Sequence, residues 1–310
     1  MGKLLLDNDL ILNLHNRGLS LSAIARSFKV SNWTIKNRFD KLGIVIPPFK
    51  TLDENEIVEL FKQGKTKKYL AGLFGISVGP IKRILRKHGV KRPIKYPLDE
   101  CAFSVFTDAS CYWAGFIAAD GWVGKIGRSN RISVELSVKD AFHLKKLCRF
   151  IKRDENLTKR IKNLNGKNFS SCTLTICNKN ITQEIMKNFN LVPAKSLILS
   201  PPNNMPLELA RDYIRGYFDG DGCICTRKKG KIIIFNLISG SKDILVWMNG
   251  IIFNSAGIKM NVRKCKDRNM YVIQTERNNA KIILDWLYSD SISETRLDRK
   301  YEKYLESCKL

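Results

Sequence analysis

The chain has 310 residues, of which 44% are hydrophobic and 27% charged, so it is long enough for two or three domains with ordinary buried cores. Its 54 lysines and arginines outnumber its 29 acidic residues, which gives a formal net charge of +25. A basic excess spread through the whole sequence favours a nucleic-acid duplex as partner over an anionic membrane surface or an RNA scaffold role.

The sequence does not indicate membrane insertion, secretion or histidine chemistry. No stretch approaches the roughly 18 consecutive apolar residues of a membrane span, and the apolar run of residues 4–6 stops at Asp7. We therefore expect a soluble intracellular protein without a secretion signal, in the cytoplasm, the nucleoid or an organelle matrix. Nine scattered cysteines without a CxxC pair predict reduced, mostly buried thiols. The three histidines, two of them in predicted DNA-binding helices, argue against histidine-centred nuclease chemistry.

The N-terminal third contains a repeat with a period of 46 residues. The matched pairs include Gly18 and Gly64, Ala25 and Ala71, Phe28 and Phe74, Ser31 and Ser77, and Ile35 and Ile81. We interpret residues 1–46 and 52–92 as two copies of one small all-α unit. Each copy predicts a short helix (21–28 and 67–74), a tight turn and a second helix (32–42 and 78–88), which is the spacing of a helix-turn-helix.

The second helix of each copy is predicted to read DNA. Ser31 and Ser77 are placed to cap these helices, and a basic helix after a capped turn suits a major groove. The alternative is a pair of small helical bundles with solvated basic faces. The expected DNA contacts are Asn32, Trp33, Lys36, Asn37, Arg38, Lys82, Arg83 and Arg86. Prolines then mark a basic linker over residues 93–104.

A second repeat, with an offset of 101 residues, organises the rest of the chain. The segment 112–121 recurs as 213–222, and each copy ends in Asp-Gly. Each is followed by a β-rich run (131–138 and 231–239), a helix opened by Lys-Asp, a hairpin (156–177 and 258–276) and a final helix. The pattern predicts an α+β fold made of two αββαββα halves, over residues 105–200 and 201–310.

The repeated helices carry a candidate metal site. Gly115 with Ala119, and Gly216 with Gly220, place small residues four apart, which lets two helices pack closely. Such packing brings Asp120 and Asp221 to the same end, where they repel each other and oppose the helix dipole. A cation between them is the simplest explanation, and Mg²⁺ suits a DNA-binding protein. The alternative is that Asp-Gly only ends each helix, with Gly121 and Gly222 as left-handed caps.

At these residues the chain resembles the LAGLIDADG homing endonucleases of the monomeric class with two motifs, over residues 105–310. The N-terminal arm resembles helix-turn-helix modules fused to such enzymes. The resemblance implies a pseudo-twofold saddle of two antiparallel sheets in adjacent major grooves. It also implies double-strand cutting across the minor groove, with short 3′ overhangs, at one long asymmetric site, as in intron homing. The motifs depart from the family pattern at Trp113, Ala118, Arg215 and Tyr217.

The resemblance also assigns cofactor and site residues. It implies Mg²⁺ held by Asp120 and Asp221, with Gly121 and Gly222 as backbone neighbours; Mn²⁺ would substitute, and Ca²⁺ would support binding without cutting. Lys195 and Lys300, each just after the last helix of its half, are expected beside the metal site. Glu135, with Asn236 or Ser239 in the second half, would help to order water. Groove contacts are expected from Lys125, Arg128, Asn130, Arg131, Lys159, Arg160, Lys162, Arg227, Lys228, Lys229, Lys231, Asn236, Ser239, Arg263, Lys264, Lys266 and Arg268.

A competing hypothesis is a non-cleaving binder, either an RNA maturase or a transcription regulator, that kept the scaffold and lost the chemistry. It predicts eroded acidic residues, whereas Asp120 and Asp221 are both present. We therefore favour a Mg²⁺-dependent endonuclease that acts on double-stranded DNA as a monomer, without a membrane or an obligate protein partner.

Overall fold

The computed structural model describes residues 7–16, 21–44, 53–90, 97–124, 130–164, 166–227, 232–266 and 268–309. The chain divides into two compact units, Met1–Ile94 and Lys95–Leu310. Within the described ranges, no helix is both long and apolar enough to cross a membrane.

The N-terminal unit contains two three-helix groups. The first comprises α1 (Asn8–Asn16), α2 (Leu21–Ser27) and α3 (Asn32–Lys41), and the second α4 (Glu54–Lys62), α5 (Lys67–Leu73) and α6 (Val78–Lys87). Each group has its own small core. The core residues of the first group, shifted by the 46-residue period, coincide with core residues of the second: Ile11 with Ile57, Ile24 with Leu70, Ala25 with Ala71, Ile35 with Ile81, and Phe39 with Leu85. The repeat in the sequence is therefore a repeat of the packing.

The two predicted helix caps differ. The Ser31 hydroxyl accepts a hydrogen bond of 3.1 Å from the Thr34 amide, as expected. Ser77 also precedes its helix, but its side chain forms no capping hydrogen bond, so that prediction is wrong. Pro80 stands where the first copy has the donor Thr34, and proline has no amide hydrogen, so the hydrogen bond found in the first copy cannot form in the second.

The C-terminal unit has the predicted α+β architecture. Its first half comprises α7 (Asp108–Asp120), β1 (Gly121–Val123), β2 (Arg131–Ser137), α8 (Ala141–Phe150), β3 (Thr158–Leu164), β4 (Lys167–Cys177) and α9 (Lys179–Phe189). Its second half comprises α10 (Ala210–Asp221), β5 (Gly222–Arg227), β6 (Ile232–Ser239), α11 (Lys242–Ala256), β7 (Arg263–Lys264), β8 (Tyr271–Glu276) and α12 (Asn278–Tyr288). Both halves are therefore αββαββα. A further helix, α13 (Asp298–Cys308), follows the second half and was not predicted.

The two sheets are equivalent four-stranded antiparallel sheets, with strand orders β1-β2-β4-β3 and β5-β6-β8-β7. Core positions of the two halves repeat at the same offset of 101 residues, on the sheets in Ile132 and Ile233 and in Val134 and Phe235, and on the helices in Leu144 and Leu245. All six are buried in one continuous core. Alternate residues of each strand point into this core, so the remaining side chains form a second face. We call that second face, which carries Arg131, Glu135, Arg227 and Asn236, the open face of the sheets.

The thiols are less buried than predicted. Cys101, Cys177, Cys223, Cys225 and Cys308 are exposed, and only Cys111, Cys148 and Cys172 are buried. All nine are free, as expected. The expectation of mostly buried thiols was wrong because two of the exposed ones, Cys223 and Cys225, lie on the open face of β5, two residues apart on either side of the buried Ile224.

Candidate active site

Helices α7 and α10 pack against each other through glycines. A Cβ atom added to Gly115 would lie 2.0 Å from the carbonyl oxygen of Tyr213, and one added to Gly216 would lie 1.9 Å from that of Tyr112. These two contacts are equivalent under the 101-residue repeat, so the helices cross about a local pseudo-twofold axis. Any larger residue at either position would force the backbones apart, which confirms the close packing predicted from the small-residue spacing.

Each motif helix passes directly into a strand. Gly121 and Gly222 have extended backbones, with φ of −88° and −80°, so the alternative of left-handed caps is wrong. Both positions instead require glycine because a Cβ would lie 2.5 Å from the carbonyl oxygen of Ile117 or Phe218, respectively. The immediate exit from the helix leaves Asp120 and Asp221 as the last helical residues, where β1 and β5 begin.

The two carboxylates lie close enough to influence each other. The Asp120 side chain is exposed overall although α10 crowds one side of its carboxylate, and Asp221 is half-buried. A Cβ atom added to Gly220 on α10 would lie 3.4 Å from an Asp120 carboxylate oxygen, so the end of α10 closely approaches this side chain. Burial, followed by the charge of Asp221, raises the pKa of Asp120 to about 6. Burial also raises the pKa of Asp221, against the opposing charges of Lys195 and Lys300.

A buried lysine accompanies each carboxylate. Lys195 is 6% exposed and donates to the carbonyl oxygen of Ala118, near the end of α7. Lys300 is 4% exposed and donates to the carbonyl oxygens of Phe218 and Gly222 at the end of α10. Both ammonium groups therefore sit at helix C-termini, where the dipole favours a cation. Burial lowers the pKa of each lysine to about 8, and the neighbouring aspartates oppose this shift.

The two lysines are carried by different kinds of secondary structure. Lys195 opens a 3-10 turn, Lys195–Leu197, after α9, in the place expected. Lys300 lies in the first turn of α13 and not directly after the last repeated helix. Its expected local structure was therefore wrong, although the side chain reaches the site.

Two further buried groups at the motif helices were not predicted. The buried Tyr217 hydroxyl donates to the carbonyl oxygen of Ile238 and, through its nearness to Asp221, lowers the pKa of that carboxyl. Asp219 is buried two residues before the end of α10.

The three expected water-ordering residues have different surroundings. Glu135 lies on the open face of β2 and forms an ion pair of 2.5 Å with Lys162. Asn236 lies on the open face of β6, and its side-chain oxygen is buried without a partner. Ser239 is 4% exposed and shares the core face of β6 with Phe235 and Leu237, so its predicted place in the groove is wrong.

Strand register separates the expected DNA contacts into two faces. Residues that are partners on neighbouring strands share a face of the sheet. Lys159 is the partner of the buried Cys172 and so lies on the core face. Arg160 is the partner of Ser171, which lies on the same face as Glu135. In the second half, Lys264 pairs with Tyr271, which pairs with the buried Ser239. Lys159 and Lys264 therefore lie on the side of the sheets opposite the open face, and the prediction that they enter the groove is wrong.

The other basic candidates remain compatible with DNA contact. Arg131, Arg160, Lys162, Arg227 and Arg263 lie on the open face by register. Exposed or half-buried positions are also found for Asn130, Lys266, Arg268, Asn32, Trp33, Lys36, Asn37, Arg38, Lys82, Arg83 and Arg86. Lys125, Arg128, Lys228, Lys229 and Lys231 lie outside the described residues.

The pKa of Asp120 makes any metal affinity of this carboxylate pH-dependent. A divalent cation held by Asp120 would have to displace the proton, so in a metal-dependent reaction the Mg²⁺ concentration for half-maximal activity would rise as the pH falls below about 6. The expected change is up to about tenfold per pH unit for one displaced proton. Mg²⁺ titrations of DNA cleavage between pH 5 and 8, at constant ionic strength, would measure it. A Mg²⁺ requirement that did not change across this range would contradict metal binding at Asp120.

Comparison with known proteins gives distant structural matches. No protein-family model and no curated protein sequence matches the chain. Its structure is similar to that of the homing endonuclease I-WcaI bound to its DNA recognition sequence, with 13% identity, coverage of 74% of this chain and 96% of that chain, and a TM-score of 0.45. It is also similar to mesophilic variants of the homing endonuclease I-DmoI, with 14% identity, coverage of 59% and 90%, and a TM-score of 0.40.

A third match is the N-terminal LAGLIDADG domain of DUF199/WhiA, with 14% identity, coverage of 65% of this chain and 92% of that chain, and a TM-score of 0.40. Likenesses this distant do not transfer an activity. The function proposed below therefore rests on the geometry of this chain's own site.

Proposed function

We propose that this chain is a LAGLIDADG-type homing endonuclease that hydrolyses both strands of one DNA site in a metal-dependent reaction. The observation that carries the proposal is the pair of matched carboxylates, Asp120 and Asp221, held together by two glycine-packed helices and flanked by two buried lysines. Stability alone does not favour this arrangement, because burial and mutual repulsion both disfavour the charged carboxylates. Perturbed groups clustered in this way are typical of active sites.

Asp120 and Asp221 fit a divalent metal. Among the described residues there is no group of three or more metal-ligating side chains, so the two carboxylates would have to share the cation with water and phosphate oxygens. Mg²⁺ commonly binds in this way, through one or two carboxylates. When bound, it would supply Lewis-acid activation of the phosphate and of the attacking water. Mn²⁺ would substitute, and Ca²⁺ would support DNA binding without cleavage.

The lysines would act on the charge that develops during hydrolysis. With a pKa of about 8, each ammonium group is mostly protonated at neutral pH yet can release its proton more readily than an exposed lysine. Each is anchored by helix-end carbonyl groups, so its position is fixed before the DNA arrives. A fixed cation at this place stabilises negative charge on a phosphate oxygen without reorganisation, which is an efficient form of electrostatic catalysis.

The open faces of the two sheets would bind the DNA on either side of the cut. Arg131, Arg160 and Lys162 supply positive charge in the first half, and Arg227 and Arg263 in the second. Arginine and lysine can bond guanine edges, but most such contacts go to phosphates. Because the two faces carry different side chains, the two half-sites should differ, and the preferred target should be asymmetric.

We expect one protein chain per DNA target. Both motifs needed for the paired site belong to one polypeptide, so a second copy would add nothing to the reaction centre. Sedimentation of the protein on a duplex that carries its site, in Ca²⁺ to prevent cutting, would give the stoichiometry. Two chains per duplex would contradict this assignment.

The N-terminal unit would extend the recognised DNA. Its second helices expose Lys36, Lys82, Arg83 and Arg86, and none of the proposed catalytic groups precedes residue 104. Deletion of residues 1–92 should therefore weaken binding and shorten the protected DNA, but leave cutting at the same phosphates. Loss of about four phosphate contacts should flatten the slope of log affinity against log salt by about 3 to 4 units. An unchanged footprint and salt slope would mean that this unit binds something else.

Selection of cut sites from a randomised DNA library, with Mg²⁺ present, would test the proposal. The expected product is a double-strand break with short 3′ overhangs within a long asymmetric sequence. The competing hypothesis of a non-cleaving binder predicts enrichment of bound DNA in a parallel binding selection without cut ends. Sequencing both pools from one protein preparation separates the two functions.

A further inference from the structure

A second carboxylate near the end of α10 is buried and hydrogen-bonded within the protein. Asp219 precedes Asp221 by two residues on α10 and is 1% exposed. One carboxylate oxygen accepts hydrogen bonds of 2.7 Å from the Tyr112 hydroxyl and 2.7 Å from the Leu297 amide. The other oxygen accepts a hydrogen bond from the Tyr288 hydroxyl. Three donors from three different elements therefore converge on this side chain.

The bond to Leu297 determines where α13 begins. Leu297 immediately precedes α13, and its amide is a helix-start donor that would otherwise need a partner. Lys300 follows only three residues later and donates to the carbonyl oxygens of Phe218 and Gly222 at the end of α10. Asp219 on α10 therefore accepts a hydrogen bond from the start of α13. Lys300 on α13 in turn donates hydrogen bonds to the end of α10.

The first half lacks this support. Ala118 occupies the position equivalent to Asp219 at the 101-residue offset, and an alanine side chain accepts no hydrogen bond. Lys195 is carried instead by a 3-10 turn that follows Ala194, whose φ is +59°. The two lysines therefore occupy equivalent places at the ends of α7 and α10 through different structural means.

We propose that Asp219 is a positioning residue for Lys300, and that it makes one of the two strand-cleavage steps depend on a support that the other step does not use. This inference rests on the proposed nuclease function. A fixed Lys300 ammonium group is needed only for cleavage of the DNA strand on which it acts. Loss of the hydrogen bond from Leu297 to Asp219 should therefore slow the cleavage of that strand and not of the other. Misplacement of a reacting group by about 1 Å can reduce a rate by about 100-fold.

Two substitutions at Asp219 should behave differently. Asp219→Ala reproduces the residue found in the first half and removes the acceptor of the Leu297 amide. Asp219→Asn can keep that acceptor, because its amide nitrogen can point to the Tyr288 hydroxyl while its oxygen faces Leu297. We expect Asp219→Ala to slow cleavage of one strand by about 10- to 100-fold relative to the other, with accumulation of nicked DNA, and Asp219→Asn to restore most of the balance.

The assay uses the full-length protein and a duplex that carries the selected site, with a different label on each strand. Ser110→Ala is the matched control, because Ser110 is also a buried polar residue on a motif helix, but its hydroxyl donates to the carbonyl oxygen of Val105 near the start of α7. It should lower the melting temperature without changing the ratio of the two strand rates. Equal slowing of both strands by Asp219→Ala, or the same strand bias in Ser110→Ala, would overturn the proposal.

A second variant and a structural readout keep the test independent of folding defects at Asp219. Leu297→Pro removes the amide donor together with a buried leucine side chain, and the extended backbone at Arg296 is compatible with a following proline. It should produce the same strand bias. Leu297→Ala, which loses the side chain but keeps the amide, is its control and should leave the strand ratio unchanged.

Hydrogen exchange at residues 297–301 should become faster in Asp219→Ala but not in Asp219→Asn. Hydrogen exchange can be measured without DNA cleavage, so it tests the role of Asp219 separately. A wild-type protein that did not cut DNA would contradict the nuclease proposal. Unchanged exchange in Asp219→Ala would contradict the proposed support of α13 by Asp219.

Discussion

Replacement of Asp120 or Asp221 by asparagine should abolish double-strand cleavage while DNA binding persists. Each carboxylate would hold the metal and not the DNA, and a bound metal contributes several kcal/mol of transition-state stabilisation, so we expect the rate to fall by about 1000-fold or more. DNA affinity measured in Ca²⁺ should change by less than about tenfold, because one neutralised acid slightly increases an already large positive charge. Gel-shift and cleavage assays on the same preparations would separate the two effects.

Stability gives an independent check on the same variants. Folding raises the pKa of Asp120 to about 6, so the charged carboxylate destabilises the native protein, and stability should fall as the pH rises toward and through 6. Asp120→Asn removes this penalty and should raise the melting temperature at pH 7. Asp290→Asn, at an exposed residue paired with Arg211, is the control and should retain full activity. Wild-type cutting by either active-site variant would show that the metal site is elsewhere.

The sequence was sufficient to predict the helix pairing and the two-half architecture. Both depend on signals that are local and repeated: glycine with a small residue four positions away, a terminal Asp-Gly, and strand-length apolar runs at a constant offset. The structure places Gly115 and Gly216 in equivalent contacts, as that repetition requires. A repeated signal is informative because two copies constrain each other, whereas a single Asp-Gly could end any helix.

The predictions for Ser239, Lys159 and the Ser77 cap were wrong because each considered one residue without its neighbours in the strand, the sheet or the helix. Ser239 shares the alternation of Phe235 and Leu237, so its burial could have been predicted from β6 alone. Lys159 is different, because its face depends on the register with Cys172 on another strand. Pro80 was visible in the sequence and excludes at Ser77 the hydrogen bond that caps the first copy.

Asp219 could not have been predicted to be a support. Its three donors, Tyr112, Tyr288 and Leu297, lie 69 to 107 residues away in the chain. The motif pattern alone shows an acidic residue two positions before the proposed metal ligand Asp221, which does not distinguish a buried structural carboxylate from a second ligand. Only the fold shows that this carboxylate accepts three hydrogen bonds from distant parts of the chain.

The glycines at the helix crossing should be the least replaceable residues of the C-terminal unit. An alanine at Gly115 or Gly216 would place its Cβ about 2 Å from a backbone carbonyl oxygen of the opposite helix, and backbone atoms cannot move aside as a flexible side chain can. The helices would have to separate by more than 1 Å along most of their contact. Overpacking of a well-packed core typically costs about 1 to 3 kcal/mol, and we expect at least about 3 kcal/mol here.

Gly250→Ala provides the matched control, because it is also a glycine inside a helix, α11, but nothing lies within 4 Å of its added Cβ. It should increase the free energy of unfolding by about 0.5 to 1 kcal/mol, since alanine is the better helix former. Denaturant unfolding of the three variants would therefore give changes of opposite sign for the same chemical substitution. The separation at the crossing would also move Asp120 away from Asp221, so any folded fraction of Gly115→Ala or Gly216→Ala should bind DNA but cut it poorly. If both alanine variants matched the wild type in stability and cleavage, the helix crossing described above, and the paired site built on it, would be wrong.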